Sequence, residues 1–448
     1  MLVFYFFAAI AIWLGLLSLR GGLRFWSYVR REAALPLSAY APFISVIAPF
    51  RGIDQGLKEN LTALFEQHYP AYEIILVTGR ADDPALAIVE EVQAEMSDKL
   101  QFVADVQNGT PAKVVGDLRR PIPLNVDAIL KIVGHLSEPH RPVASRVVIA
   151  GDAIESGQKV HNLRTAVASI DPKTEVLVFV DSDARPHVNW LRALVAPLAD
   201  EGVGAASGYR WFIPAKGSLA SQLRAVWNAS IASALGARTD KNFCWGGSTA
   251  IRRTTFEKLK VAERWSGTVS DDFMLTRVLQ EARLPIHFVP HCLIVSFDDC
   301  GFRELLEFTT RQLKITRVYA AHLWKAILLG SSQFVIVFFG GIALAIIRAL
   351  LGLPVGTAMV MLLIIFLLGA AKSWIRLRAV DLALANYNLS LGKGSLAHLF
   401  LWPFASALFL INALAAAFSR RIKWRGISYE LKSPTEAVII ARESDGNA

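Results

Sequence analysis

Cysteine is scarce in this chain, with three among 448 residues: Cys244, Cys292 and Cys300. None forms a CxxC pair, and so few cannot build a disulfide framework. That excludes a disulfide-stapled secreted scaffold and a cysteine-rich structural zinc site, and it fits a reducing compartment. Charge is thin as well, at 19% of residues against 53% hydrophobic ones, with a mean hydropathy of +0.39. Acidic residues are the scarcer sign, 38 against 47 Lys and Arg. The resulting charge of +9 does not indicate nucleic-acid binding. Much of it lies beside apolar runs, where Lys and Arg meet anionic lipid headgroups.

The hydrophobic residues are concentrated. Residues 1–19 carry no charged side chain and can cross a bilayer as a helix, and Arg20, Arg24, Arg30 and Arg31 follow. A cleaved signal peptide has its positive charge first and small residues at a cleavage site last. The order here is reversed. The sequence therefore predicts a retained transmembrane anchor over 1–20, its C-terminal side in the cytoplasm, then a basic, proline-bearing linker over 21–43. A C-terminal transmembrane region is expected over 327–418, with apolar stretches near 327–347, 355–371 and 397–418, ahead of a basic tail at 419–448. Residues 301–326 read as an amphipathic helix that either lies in the membrane interface or packs on the preceding domain. Lys372, Arg376 and Arg378 follow the second stretch, and Arg420, Arg421, Lys423 and Arg425 the third. Both basic segments favour the cytoplasm, yet strict alternation puts the last one outside. A re-entrant or interfacial course for 397–418, which Pro403 interrupts, removes the conflict.

Between these regions lies a polar-surfaced domain, 44–300. Strand-like runs (44–48, 73–77, 146–150, 175–180) alternate with helical ones (57–67, 84–96, 158–170, 187–199). That alternation predicts an α/β, Rossmann-like fold with a parallel sheet. Residues 105–144, proline-bearing with one possible helix near 124–136, break the pattern and read as an inserted segment. The run Val176 to Val180 is apolar throughout and ends in Asp181-Ser182-Asp183. A strand buried on both faces delivers such residues to the sheet's carboxyl edge, where α/β proteins bind ligands. Two carboxylates pointing the same way suit a hard cation such as Mg²⁺ or Mn²⁺. A solvated turn with Asp183 as a helix cap is the other reading. Asp82-Asp83 follows the second strand-like run, and Asp271-Asp272 opens a helical one.

The ordered set Asp82-Asp83-Pro84, Asp181-Ser182-Asp183, Asp271-Asp272 and Arg311-Gln312-Leu313-Lys314-Ile315 resembles the membrane-bound family 2-type glycosyltransferases. Within that group the chain is most similar to ceramide glucosyltransferases (family 21-like) and their bacterial relatives. The local matches are Ala48 to Asp54, Tyr69-Pro70, Lys159 to Leu163, Cys244 to Ser248 and Ile422 to Gly426. The resemblance implies a GT-A-like nucleotide-sugar domain in an integral protein of the bacterial inner membrane, with its catalytic domain facing the cytoplasm. It implies a UDP-sugar donor, Mg²⁺ or Mn²⁺ as cofactor and a lipid acceptor. Asp83, with Pro49 and Arg51, would line the nucleoside pocket, and Lys159 would reach the diphosphate. Asp181 and Asp183 would hold the metal, and Asp181 thereby the donor. Asp272 would be the general base. Asp271, Arg311 and Lys314 would stand near the acceptor and leaving group, and Trp245 is a candidate for the acceptor side. The family element ends in Arg-Trp, whereas this chain has Lys314-Ile315, which offers neither a bidentate guanidinium nor a stacking face.

The implied reaction is inverting transfer of glucose from UDP-glucose to a membrane lipid hydroxyl, ceramide first, in glycolipid and sphingolipid metabolism. The rivals are a processive polysaccharide synthase and a catalytically inactive nucleotide-sugar-binding membrane protein. His287 and His291 read as structural histidines rather than a metal site.

Overall fold

The computed structural model describes residues 1–36, 38–107, 143–387 and 392–443. Most of the 105–144 segment, including the expected helix near 124–136, lies outside them. In chain order the elements begin with α1 (Leu2–Ala33), β1 (Ile44–Pro49), α2 (Leu57–Phe65), β2 (Tyr72–Thr78), α3 (Ala85–Gln107) and β3 (Ala144–Ile149). Next come α4 (Gln158–Val167), β4 (Val176–Phe179), α5 (Trp190–Val195), β5 (Ala205–Phe212), α6 (Leu219–Ala232) and β6 (Thr249–Arg252). They are followed by α7 (Arg253–Lys258), α8 (Val261–Arg264), α9 (Asp271–Glu281), β7 (Ile286–Ser296), α10 (Phe302–Tyr319), α11 (Ala321–Leu350) and α12 (Gly356–Ala383). The chain ends in α13 (Gly392–Phe400), α14 (Trp402–Phe418), β8 (Arg421–Trp424), β9 (Ile427–Ser433) and β10 (Glu436–Arg442).

A seven-stranded sheet in the order β3-β2-β1-β4-β6-β5-β7 forms the domain core. The first four strands are parallel, and β6 runs antiparallel between β4 and β5. β1 and β4 are buried at every position, because each has helices or loops on both faces. The chain leaves β1 toward β2 on one side and returns to β4 on the other. The crevice beyond β1 and β4 is thus a topological switch point, where open α/β sheets bind ligands. The register pairs Ile44 with Val176 and Ile47 with Phe179. It therefore places Arg51 to Asp54, after β1, beside Asp181 to Asp183, after β4.

The pairing of β5 with β7 breaks its register between Ser207 and Tyr209. Pro290, which has no N–H to donate, lies in β7 at the break. Gly208 approaches so closely that a Cβ there would sit 1.9 Å from the Cys292 carbonyl oxygen. Breaks of this kind re-aim side chains, and here Arg210 points into the crevice. Gly208→Ala is expected to destabilise the protein by about 3 kcal/mol, measured as a fall in melting temperature. An unchanged melting temperature would show that the close approach relaxes freely.

Among the described residues three helices are long and apolar enough to cross a membrane: α1, α11 and α12. Their large apolar side chains face outward, as at Phe6, Trp13, Leu329, Ile336 and Leu363. Apolar surface of that extent is lipid-facing in a membrane protein. The 397–418 stretch differs from its expected form. It breaks at Leu401 into α13 and the 17-residue α14. Trp402, at the start of α14, packs against Phe334 and Phe338 in the middle of α11 and against Phe366 of α12. The end of α14 meets α10, where the Arg317 guanidinium donates to the Ala416 carbonyl. The chain then folds as a second sheet, β10-β9-β8, against the catalytic domain. The Tyr387 hydroxyl, just after α12, donates to the Arg185 carbonyl of that same domain at 2.9 Å. The residues after α12 and the chain after α14 therefore meet the same domain, with the α13–α14 hairpin between them.

Candidate active site

A cavity of about 1640 Å³ opens at the carboxyl ends of β1 and β4. Its polar part is lined by Pro49, Arg51, Asp54, Lys159, Asp181, Asp183, Arg210, Trp245, Asp271, Asp272, Arg311 and Arg425. Lys159 enters from the first turn of α4. Its Nζ lies 2.7 Å from Asp181 Oδ1 and 3.2 Å from Asp271 Oδ1. This one ammonium thus ties the end of β4 to the start of α9. Burial works against its charge, but Asp181, Asp271 and Asp272 outweigh burial and hold the ammonium well above the ordinary lysine range. Burial likewise opposes the Asp181 carboxylate, and Lys159 and Arg210 overcome it, so Asp181 stays below the usual range. Asp183 is pushed upward by burial, with Asp181 adding repulsion. Burial, against the pull of Lys159, pushes Asp271 up to about 6.

Asp271 and Asp272 sit in the first turn of α9, where the helix dipole favours acids. The two side chains are held differently. Asp271 is committed to Lys159. Asp272 Oδ1 accepts from the Ser270 hydroxyl and from the Phe273 N–H. Its Oδ2 accepts no hydrogen bond from the described residues, and Asp272 lines the cavity. A carboxylate pinned by one oxygen and open at the other is suited to taking a proton.

Arg210 was not visible as a site residue in the sequence, although a lone arginine in the apolar run Ala205 to Phe212 is the available signal. Its Nη2 contacts Asp181 Oδ2 at 3.3 Å and Asp183 Oδ1 at 2.9 Å. Its guanidinium also lies over the Trp245 ring, 5.1 Å from the centroid. Trp245 thus lines the cavity and backs the Arg210 cation within it. The two carboxylates form a hard oxygen donor set that fits a divalent cation sharing its shell with phosphate oxygens. Among the described residues no group of three or more His, Cys, Asp and Glu makes a complete metal cage.

Two expected site residues stand elsewhere. Asp83 is buried, and its carboxylate is filled by the Gly52 N–H, the Thr78 hydroxyl and the Ala85 N–H. It braces the Arg51–Asp54 loop and does not line the cavity. Asp82 is exposed and paired with Arg80. Lys314 also misses the cavity, because its Nζ donates to the Arg421 carbonyl at 2.7 Å. One helical turn earlier, Arg311 does line it. It makes no ion pair or hydrogen bond to a described residue and sits between the rings of Phe308 and Trp424, at 5.6 and 5.5 Å. Burial, with Arg425 and Arg210 nearby, lowers its pKa to about 10. Trp424 of β8 thus brings an aromatic face to Arg311 from a distant part of the chain. His287 Nε2 pairs with Glu32 of α1 at 3.1 Å, and the His291 carbonyl meets His187 Nε2 at 2.8 Å.

A mixed sheet thus brings these carboxylates and cations into one cleft, beside outward-facing apolar helices. The chain belongs to glycosyl transferase family 21, whose family model matches residues 3–115 and 123–437. Among solved structures it is similar to a mannosyltransferase from Pyrobaculum calidifontis in complex with GDP-Man and Mn2+. The identity is 18%, the match covers 92% of this chain and 98% of that one, and the TM-score is 0.42. It is also similar to glucosyl-3-phosphoglycerate synthase from Mycobacterium tuberculosis in complex with Mn2+ and UDP-Glc, at 14% identity. There the match covers 64% of this chain and 80% of that one, with a TM-score of 0.32.

Proposed function

We propose that this glycosyltransferase transfers glucose from UDP-glucose, with inversion, to the hydroxyl of a membrane lipid, with ceramide as the first acceptor. The observation that carries this reading is the shape of the cavity. From the Asp181–Asp272 cluster it continues past Tyr319, Leu323 and Ile327 to Gly330, Phe334 and Phe409, on the apolar helices α11 and α14. A polar donor compartment joined to an apolar arm suits a donor from water and an acceptor from the bilayer. The basic residues after α14, which pack on the domain, support a cytoplasm-facing catalytic domain.

The residues divide the work by their surroundings. Asp181 and Asp183 would hold Mg²⁺ or Mn²⁺ on the donor diphosphate, and such an ion supplies charge stabilisation to the leaving group. Lys159 and Arg311 add positive charge where the leaving group's charge grows. Pro49 and Arg51 wall the nucleoside end. Asp272 takes the acceptor hydroxyl proton through Oδ2 as the oxygen attacks the anomeric carbon. With Asp271 occupied by Lys159, one free carboxylate faces the reaction, which supports a single displacement and inversion.

The test is to incubate the detergent-purified protein with labelled nucleotide sugars and a lipid panel, and to identify products by mass spectrometry. The expected product is a glucosylated lipid with its anomeric configuration opposite to the donor's. A polymer formed without any lipid product would replace this reading with the polysaccharide synthase. Gly330→Phe should fill the apolar arm, because a Cβ at Gly330 meets nothing within 4 Å. It is expected to lower lipid glucosylation by about tenfold or more while donor affinity stays unchanged. Equal loss of donor binding would separate the arm from acceptor binding.

A further inference from the structure

The C-terminal sheet reaches the active site through a two-residue turn. Trp424 pairs with Ile427 across β8 and β9, leaving Arg425 and Gly426 as the loop. Both have positive φ, 50° and 73°, the combination of a type I′ turn. Such turns take Asn, Asp or Gly readily. Arginine in the left-handed region costs about 1 kcal/mol. A costly residue at a turn tip points to a task for its side chain.

That side chain lies over the cleft. Arg425 Nη2 is 2.5 Å from Asp54 Oδ1, and Nη1 donates to the Arg51 carbonyl at 3.1 Å. The other oxygen of Asp54 accepts the Ser182 hydroxyl at 2.6 Å. A single carboxylate therefore links Arg425 to the residue between Asp181 and Asp183. Burial opposes the guanidinium charge, but Asp54, Asp183 and Asp181 all favour it. The sheet behind the turn is firmly docked. Arg442 Nη1 meets Asp152 at 3.2 Å, and the Tyr429 hydroxyl accepts the N–H of Gln158, which precedes Lys159, at 3.2 Å. Trp424, one residue before the turn, supports Arg311.

We propose that Arg425 binds the diphosphate of the nucleotide-sugar donor, and that Asp54 positions it. This rests on the nucleotide-sugar reading above. Lys159 is held by two carboxylates and Arg210 by two, whereas Arg425 shares one carboxylate with Ser182 and keeps guanidinium donors to spare. It therefore contributes a fixed cation at the rim of the compartment where the leaving diphosphate sits. Asp54 holds the guanidinium in place by its second oxygen's bond to Ser182.

The test is calorimetric binding of UDP and UMP to the full-length protein in detergent, with divalent cation present. Arg425→Ala is expected to weaken UDP by about tenfold or more and UMP by less than about threefold, as loss of a charge-assisted contact to the second phosphate predicts. Arg425→Lys should recover part of the UDP affinity. Lys423→Ala, on the same sheet and paired with Glu443, should leave both affinities unchanged. If the wild-type protein binds neither nucleotide, the donor reading itself fails. If it binds UDP and Arg425→Ala binds UDP equally well, this proposal is overturned and the donor reading stands. Equal losses for UDP and UMP also overturn it, because the sheet would then only prop the cleft open.

Discussion

Asp272→Asn is expected to lower sugar transfer by about 10²- to 10⁴-fold, the usual contribution of a general base, while donor affinity holds. The argument is geometric. Asparagine keeps the volume and an Oδ1 that accepts from the Ser270 hydroxyl and the Phe273 N–H. What disappears is the basic Oδ2 open to the cavity. The ion pairs that join Lys159, Asp181 and Arg210 run through other atoms and persist. Single-turnover transfer measured beside donor binding separates the two effects. A parallel collapse of donor affinity would move Asp272 from proton transfer to donor binding.

Asp181→Ala should act on the opposite side of the reaction. It removes the carboxylate shared by Lys159 and Arg210 and one of the two oxygen donors offered to a divalent cation. Donor affinity is expected to fall by about 100-fold, roughly 2.7 kcal/mol, and to lose its dependence on added Mg²⁺ or Mn²⁺. The protein should still fold, because Lys159 keeps Asp271 at 3.2 Å and Arg210 keeps Asp183 at 2.9 Å, so neither buried cation is left unpaired. Donor titrations with and without chelator check this. Full wild-type activity in excess chelator would remove the metal from the mechanism.

The two substitutions follow from a division of labour that local sequence shows only partly. The strand ending in Asp181-Ser182-Asp183 was legible because an apolar, β-branched run followed by acids has a local physical meaning. The acids at the start of α9 were legible for the same reason, since a helix start favours them. Asp83 and Lys314 looked equivalent at that level to the residues that line the cavity. Asp83 turns inward because three donors of its own loop and strand fill its carboxylate. Lys314 turns away because the Arg421 carbonyl lies within its reach, whereas Arg311 faces the cavity from the same helix.

The chain alone determined the α/β class of the domain, the apolar segments around it, the carboxylate pair and the lysine that serves it. Each of these is written in periodicity, composition or a few adjacent residues. Tertiary structure decided what arrives from far away. Arg210 enters the site through a register break at Gly208 and Pro290, where β5 meets a strand about 80 residues later. Trp424 and Arg425 enter because the α13–α14 hairpin turns back and sets the C-terminal sheet on the catalytic domain. Trp402 packs at the middle of α11 and against α12, a contact between distant segments that no local pattern encodes. Periodicity reports which face of an element is apolar, but not which distant surface that face will cover.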